Sequence, residues 1–160
     1  MAGTYWMLVS SPENFERARS SGFALLAMKR RHLRKAERVQ PGDRVVFYAV
    51  GQMAFAGTFT TTSTYFESHE PLFQSKKDGE DYPYRFAVRP DVVLPANRFV
   101  PAVNLLSQLE FVKKWPAEHW HLAFQGNVHT LSASDFETIE RAIRQTSGLA
   151  EPAAPARVLG

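Results

Sequence analysis

The chain has 160 residues, of which 44% are hydrophobic and 22% are charged, and its formal net charge is +3. This length and composition are ordinary for one globular domain with a core of normal size, and no apolar run approaches the ~18 residues of a membrane span. Because the sequence has no cysteine, it excludes disulfides, thiolate metal sites, iron–sulfur clusters and a cysteine nucleophile, and it fits the reducing cytoplasm in which we expect the protein.

The first residues predict a strand followed by a helix. Residues 5–9 form an apolar run of strand length, and they lack the preceding basic stretch that is typical of a signal peptide. Ser11 is the expected N-cap of a helix that has Pro12 at its first position and ends near Ser20.

The middle of the chain predicts a basic helix, a hairpin and a long loop. Residues 29–39 are compatible with a helix that carries several cations. Residues 44–50 and 54–64 are rich in Val, Phe, Tyr and Thr and are separated by a short gap, which predicts a β-hairpin. Residues 65–83 form a polar loop with scattered aromatics, and loops longer than ~12–15 residues in a compact domain are often functional.

The C-terminal part completes an α+β pattern. The predicted elements are a strand at residues 84–94, a helical turn at 103–106, and two segments, 119–124 and 127–131, that flank Gly126. Ser132 begins the last helix with a pattern like a capping box, and residues 148–160 form an Ala/Pro-rich tail that we expect to be poorly ordered beyond a domain of residues 1–147. Hairpin-joined strands with helices at the ends predict a small, curved, mostly antiparallel sheet or barrel of about five to six strands.

The positive charge is concentrated in residues 22–41, which carry a net +5 and leave the remainder net negative. Against the single acid Glu37, this segment holds Lys29, Arg30, Arg31, Arg34, Lys35 and Arg38. One local patch predicts a polyanion docked at one place, and we assign phosphate binding to the first five of these cations. The aromatic residue Phe23 stands just before the patch and suggests a base held beside the phosphates.

Several short motifs occur together in a specific order. They are Tyr5–Trp6, Ser10-x-x-Glu13–Asn14, Gly22–Phe23, Pro41–Gly42–Asp43, Tyr82–Pro83–Tyr84–Arg85, Leu109-x-Phe111, His119–Trp120, Phe124, Leu131–Ser132 and Asp135–Phe136. In order and spacing they resemble the EVE domain of the PUA-like superfamily, a relative of the YTH domains. The resemblance covers about residues 5–145.

The resemblance implies a small β-barrel flanked by helices that binds a modified base, flipped out of its strand into an aromatic pocket. YTH domains hold N6-methyladenine in this way, and EVE domains are associated with modified cytosines in DNA. Carried over to this chain, the pocket comprises the polar Ser10, Ser11 and Asn14 and the aromatic Phe23, Trp120 and Phe124. A further cage aromatic comes from the long loop, where the candidates are Tyr65, Phe66, Phe73 and Tyr82.

The chemistry of a flipped base explains these residue types. Stacking on aromatic rings supplies roughly 1–3 kcal/mol per base but does not distinguish bases, so polar groups must bind the base edge. Phosphate contacts must then supply much of the affinity. We expect the protein to be a monomer that binds DNA or RNA and has no catalytic residues, cofactor or metal. The kind of modification stays open.

Other functions are compatible with parts of the sequence. If residues 119–124 are a strand, His119 and His121 lie on one face of it, and with His129 they could form a zinc or iron site. The loop residues Glu67, His69 and Glu70 could perform acid–base chemistry. The alternatives to a modified-base-binding module are therefore a PUA-like hydrolase that acts on RNA or modified nucleosides, and a plain RNA-binding module. Each aromatic is also compatible with the core, and the cations with a solvated helix face.

Overall fold

The computed structural model describes residues 3–75 and 80–148. The strands are β1 (Tyr5–Ser10), β2 (Leu25–Met28), β3 (Arg44–Ala49), β4 (Ala54–Thr61), β5 (Phe66–Glu67), β6 (Tyr84–Val93), β7 (Val100–Pro101) and β8 (Val128–Leu131). The α-helices are α1 (Pro12–Ser20), α2 (Leu33–Glu37) and α3 (Ala133–Ser147). Short 3₁₀ helices span Arg30–His32, Ala96–Arg98, Ala102–Gln108, Phe111–Lys114 and Ala117–Phe124. The predicted tail lies outside the described residues except for Gly148.

The strands form one curled, half-barrel sheet, so the predicted α+β fold with a curved sheet is confirmed. Its main path runs in the order β2-β6-β4-β3-β1-β8, with β5 added to β6 and β7 added to β4. The pairing between β1 and β3 is parallel, and the other pairings are antiparallel. Register shifts between Phe47 and Tyr48 and between Thr58 and Phe59 bend the sheet.

Helix α1 closes one side of the core. Ser11 caps it by accepting a hydrogen bond from the backbone N–H of Asn14 at 3.1 Å, as the sequence predicts. Two consecutive positive φ angles, 80° at Gly22 and 55° at Phe23, then reverse the chain, and the Phe23 N–H donates to the Ala18 carbonyl at 2.7 Å. The reversal buries the Phe23 side chain beneath the helix.

Two predicted elements differ from the structure. The expected helix at residues 29–39 is a 3₁₀ turn followed by the short α2, because the backbone of His32 (φ −103°, ψ 27°) interrupts it. The apolar residues before it form strand β2, which the sequence analysis does not predict. Residues 119–124 are not a strand but part of a 3₁₀ helix. The predicted first strand, first helix, hairpin, sixth strand and last helix are confirmed.

Buried carboxylates fasten the start of β3 to its surroundings. Asp43 is 2% exposed and accepts hydrogen bonds from the backbone N–H groups of Thr4 and Gln40 and from the indole N–H of Trp6. Next to it, Arg44 is paired with Asp91 and Glu140, which links the sheet to α3. Within residues 3–75 and 80–148, no helix has the length and apolar character that crossing a membrane requires.

Candidate nucleic-acid-binding site

A cavity of about 600 Å³ opens where β1 ends and α1 begins. Its lining includes the rings of Tyr48, Tyr82 and Phe124, and the polar side chains of Ser10, Ser11 and Asn14. Lys29 and Arg31 add positive charge to the lining. Pockets for small molecules usually measure roughly 300–1,000 Å³, so the cavity is of ligand-binding size.

The parallel pairing of β1 and β3 creates this site. Val9 lies opposite Tyr48 and Ser10 opposite Ala49, so both strands end at the same edge of the sheet. The Val50 N–H donates to the Ser10 carbonyl at 2.8 Å and continues the alignment past the strand ends. The crevice outside the carboxyl ends of neighbouring parallel strands is a common place for ligands. The sequence does not mark Tyr48 as a pocket residue, because nothing in it shows that β1 and β3 pair in parallel.

The aromatic part of the lining is rigidly packed. The rings of Tyr48 and Phe124 are stacked, with centroids 4.2 Å apart and planes inclined by 15°. The edge-to-face contact between Tyr82 and Phe73, with centroids 5.4 Å apart, holds the Tyr82 ring from behind. The Nζ atom of Lys29 lies 5.7 Å from the centroid of the Tyr82 ring. A base that stacks on that face of Tyr82 would therefore meet the ammonium group.

The side chain of Asn14 stabilises the cavity wall through its hydrogen bonds. Its side-chain amide donates to the Gln74 carbonyl at 2.9 Å and accepts from the Gln74 N–H at 2.8 Å. Its second amide hydrogen is donated to the Ser10 hydroxyl at 2.9 Å. Since both donors are used, Asn14 positions the long loop against α1 and has no donor left for a base.

The hydroxyl groups in the lining retain unused hydrogen-bonding capacity. The Ser10 and Tyr82 hydroxyls are 3.5 Å apart, and either one can be the donor. A single bond between them uses one of their two protons, which leaves the other for a ligand. The Tyr48 hydroxyl has no hydrogen bond to any described residue. Burial raises the pKa of Tyr48, so it stays a neutral hydroxyl that can donate or accept.

The floor of the cavity fixes the position of the basic segment. Asn127, which is 2% exposed, donates from its side chain to the Val9 carbonyl at 2.8 Å. Its side-chain oxygen accepts from the Lys29 N–H at 3.1 Å. The start of the basic segment is thereby attached to the end of β1.

The five predicted phosphate-binding cations fall into two groups. Lys29 is paired with Glu80 at 3.2 Å and Arg30 with Asp81 at 2.9 Å, and the Lys35 ammonium donates to the Val128 carbonyl at 2.7 Å. The exposed Arg31 and Arg34 have no ion pair with the described residues, although Arg31 donates to the ring of its neighbour His32. Arg31 and Arg34 are therefore the two predicted cations that are held by neither a carboxylate nor a backbone carbonyl of the described residues.

Burial and the neighbouring cations together keep His32 uncharged. Burial, followed by the charges of Lys35, Arg31 and Lys29, lowers the pKa of His32 to about 4. The imidazole is therefore neutral at pH 7 and adds no positive charge.

Three predicted pocket residues do not line the cavity. Phe23 is in the core, with ring centroids 5.2 Å from Phe15 and 5.6 Å from Phe59, because the positive φ angles turn it under α1. Trp120 packs edge-to-face behind Phe124 at 5.8 Å, and Phe73 lies behind Tyr82. The prediction that Phe23 and Trp120 meet at one cavity is therefore wrong.

Among the four loop aromatics, Tyr82 is the one in the lining. Tyr65 packs edge-to-face against Tyr84, and Phe66 is 42% exposed on β5. The remaining candidate, Phe73, supports Tyr82 as described above.

The three histidines that could form a metal site are not brought together. Among the described residues, no group of three or more His, Asp or Glu side chains is arranged to hold a metal ion. His121 lines the cavity without the other two histidines. The exposed His69 lies between Glu67 at 2.9 Å and Asp81 at 3.3 Å, outside the cavity.

Comparison with known proteins adds a family and a fold. The model of the family described as EVE domain matches residues 4–142. A UPF0310 protein of Pyrococcus abyssi is 28% identical over 120 residues, which cover 70% of this chain and 82% of that protein. A UPF0310 protein of Pyrococcus horikoshii is 26% identical over 149 residues, with 86% and 97% covered.

Among solved structures, the YTH domain of a Zygosaccharomyces rouxii protein in complex with N6-methyladenosine RNA has a TM-score of 0.61. The likeness covers 93% of this chain and 90% of that domain at 15% identity. At such identity the comparison shows a shared fold.

Proposed function

The chain belongs to the EVE domain family, and on that premise we propose that it is a nucleic-acid-binding module that holds one modified base in the cavity at the end of β1. One observation carries the proposal. Aromatic rings, hydroxyl groups with unused hydrogen bonds and the guanidinium group of Arg31, which has no ion pair with the described residues, meet at a single cavity of ligand-binding size. These are the three kinds of group that a flipped nucleotide requires for its ring, its edge and its phosphates.

The hydroxyl groups are the part of the cavity that selects a base in this proposal. Because Tyr48 is neutral and has no partner among the described residues, it can bind a polar edge without giving up a hydrogen bond. The spare proton shared by Ser10 and Tyr82 supplies a donor beside it. A ligand that lacks the matching polar groups would leave buried hydroxyls unpaired, a loss of ~1–3 kcal/mol for each group.

The fold neighbours make modified bases the first ligands to test. The Zygosaccharomyces rouxii YTH domain is in complex with N6-methyladenosine RNA. A methyl group in a fitted apolar notch is worth ~1–3 kcal/mol, which is enough for a measurable preference.

The experiment is a titration of labelled DNA and RNA oligonucleotides of one sequence that carry 5-methylcytosine, 5-hydroxymethylcytosine, N6-methyladenine or no modification. We expect the wild type to prefer one modified strand. Tyr48→Phe should weaken binding of that strand by roughly threefold to tenfold, the effect of one lost hydrogen bond. Tyr5→Phe is the matched control, because Tyr5 is at the other end of β1, against Phe136.

Two results would contradict the proposal. One is equal affinity of the wild type for all strands, which would favour a plain RNA-binding module. The other is turnover of the nucleic acid or nucleoside, which would favour a hydrolase.

A further inference from the structure

The tip of the β3–β4 hairpin presents two exposed apolar side chains at the cavity. Val50 is 48% exposed and Met53 is 47% exposed, and both belong to the cavity lining. They are two of the six large hydrophobic side chains that are well exposed in the described part of the chain. The other apolar and aromatic side chains of the lining are buried, for example Val9 and Phe124, so the exposure of these two residues, here called the apolar rim, requires a separate explanation.

The backbone at the rim is strained as well as apolar. Met53 has φ 51°, a left-handed conformation that residues other than glycine, asparagine and aspartate seldom adopt. Strained residues of this kind persist when the surroundings enforce them, and they cluster at functional sites. An exposed methionine in a conformation that favours glycine combines two unfavourable features at one position. The hairpin turn fixes the positive φ angle, but it does not require an apolar side chain there.

The rim is also held rigidly. The Ala102 N–H donates to the Met53 carbonyl at 3.0 Å, and the Gln52 N–H donates to the Ala49 carbonyl at 3.1 Å. The Val50 N–H is bonded to the end of β1, beside Ser10. A tip with these attachments presents its side chains in a fixed place relative to the cavity.

We propose that the apolar rim is a wedge that enters the base stack of a double-stranded nucleic acid and fills the gap left by the base held in the cavity. The inference rests on the proposed function and deepens it, because it names a duplex as the substrate class. Apolar side chains, methionine among them, are inserted between base steps by proteins that kink or unstack duplexes. Arg31 lies in the same lining and has no ion pair with the described residues, so it gives the charge complementarity that a phosphate backbone requires, whereas Lys29 is paired with Glu80.

A flipped base leaves a gap in the stack only in a duplex. Comparing a duplex with a single strand therefore separates the role of the wedge from the role of the pocket. In a single strand the neighbouring bases close up when one base leaves, so nothing remains for Met53 to fill. The rim should therefore contribute to duplex affinity and leave single-strand affinity unchanged.

The test compares a duplex with a single strand that both carry the modified base preferred by the wild type, in DNA and RNA forms. Met53→Gln keeps the length of the side chain but makes it polar, and it should weaken duplex binding about tenfold, the equivalent of about one buried apolar side chain. Met53→Leu should retain duplex affinity. Trp115→Gln is the control, because Trp115 is 41% exposed and does not line the cavity.

A second variant separates the wedge from a role in folding. Met53→Gly suits the positive φ angle, so it should raise the melting temperature while it weakens duplex binding. If Met53 were merely structural, both quantities would fall together.

Each outcome decides between the two proposals. Equal losses on duplex and single strand, no loss on either, or a wild type that binds the modified single strand but no duplex would overturn the wedge and leave the proposed function standing. A wild type without preference for any modified strand would overturn both.

Discussion

Replacing Asn14 by alanine tests whether this residue holds the cavity wall or contacts the base. The substitution removes three hydrogen bonds, two to the backbone of Gln74 and one to the Ser10 hydroxyl. At ~0.5–1.5 kcal/mol for each bond, the free energy of unfolding should fall by about 2–4 kcal/mol. Asn14 is 1% exposed, so water cannot replace the lost bonds without opening the site.

The assays are urea unfolding and amide hydrogen exchange. In the variant the Gln74 amide should exchange markedly faster, because its acceptor is the Asn14 side chain. Binding to modified and unmodified strands should weaken by the same factor, since the substitution displaces the wall without removing a group that contacts the base. Ser20→Ala, on the exposed end of the same helix, is the control for helix propensity.

Unchanged Gln74 exchange together with unchanged stability would show that Asn14 does not hold the wall. An Asn14→Ala effect confined to one kind of modified base would instead make Asn14 a base-contacting residue.

Three further predictions concern charge. The pKa of His32 is lowered from 6.5 to about 4, so between these pH values the unfolded chain binds a proton that the folded chain does not. The free energy of unfolding should therefore fall as the pH decreases from about 6.5 to 4. In His32→Gln, the free energy of urea unfolding should depend less on pH over that window. Arg31→Gln or Arg34→Gln should each reduce the slope of log K against log salt by ~0.7–0.9, whereas Arg30→Gln should reduce it less, because Arg30 is already paired with a carboxylate. Asp43→Ala leaves three N–H donors without their acceptor and should lower the urea-unfolding free energy by about 3 kcal/mol; a loss below about 0.5 kcal/mol would contradict the assigned hydrogen bonds.

Local signals in the sequence were sufficient for much of the fold. The Ser11 cap with Pro12, the Ser132 cap and the Val-, Phe- and Thr-rich hairpin predict their elements correctly, because propensity and capping act over a few residues. The small curved sheet follows from the short hairpin connections and from the family resemblance.

Long-range pairing is what the sequence did not reveal. Tyr48 belongs to the cavity because β1 and β3 are parallel neighbours, a contact between segments almost forty residues apart. Phe23 is absent from the cavity because two positive φ angles turn its ring into the core, which no aromatic pattern predicts. Trp120 does not line the cavity, whereas Phe124, from the same 3₁₀ helix, does.

The sequence also does not predict the different roles of the polar residues at the cavity. Ser10 and Asn14 lie at the predicted strand–helix junction, but their hydrogen bonds differ in purpose. The Asn14 amide is used up by the Gln74 backbone, whereas Ser10 and Tyr82 keep a proton to spare. Residue type alone cannot separate a group that builds a wall from a group that contacts a ligand.

Whether the cavity holds the modified base is tested most directly with an oligonucleotide whose modified base carries a ¹³C-labelled methyl group, bound to the protein in solution. We expect nuclear Overhauser effects from that methyl group to the ring protons of Tyr48, Tyr82 or Phe124. Binding without these contacts, with chemical-shift changes confined to the surface around Arg31 and Arg34, would contradict that placement of the base.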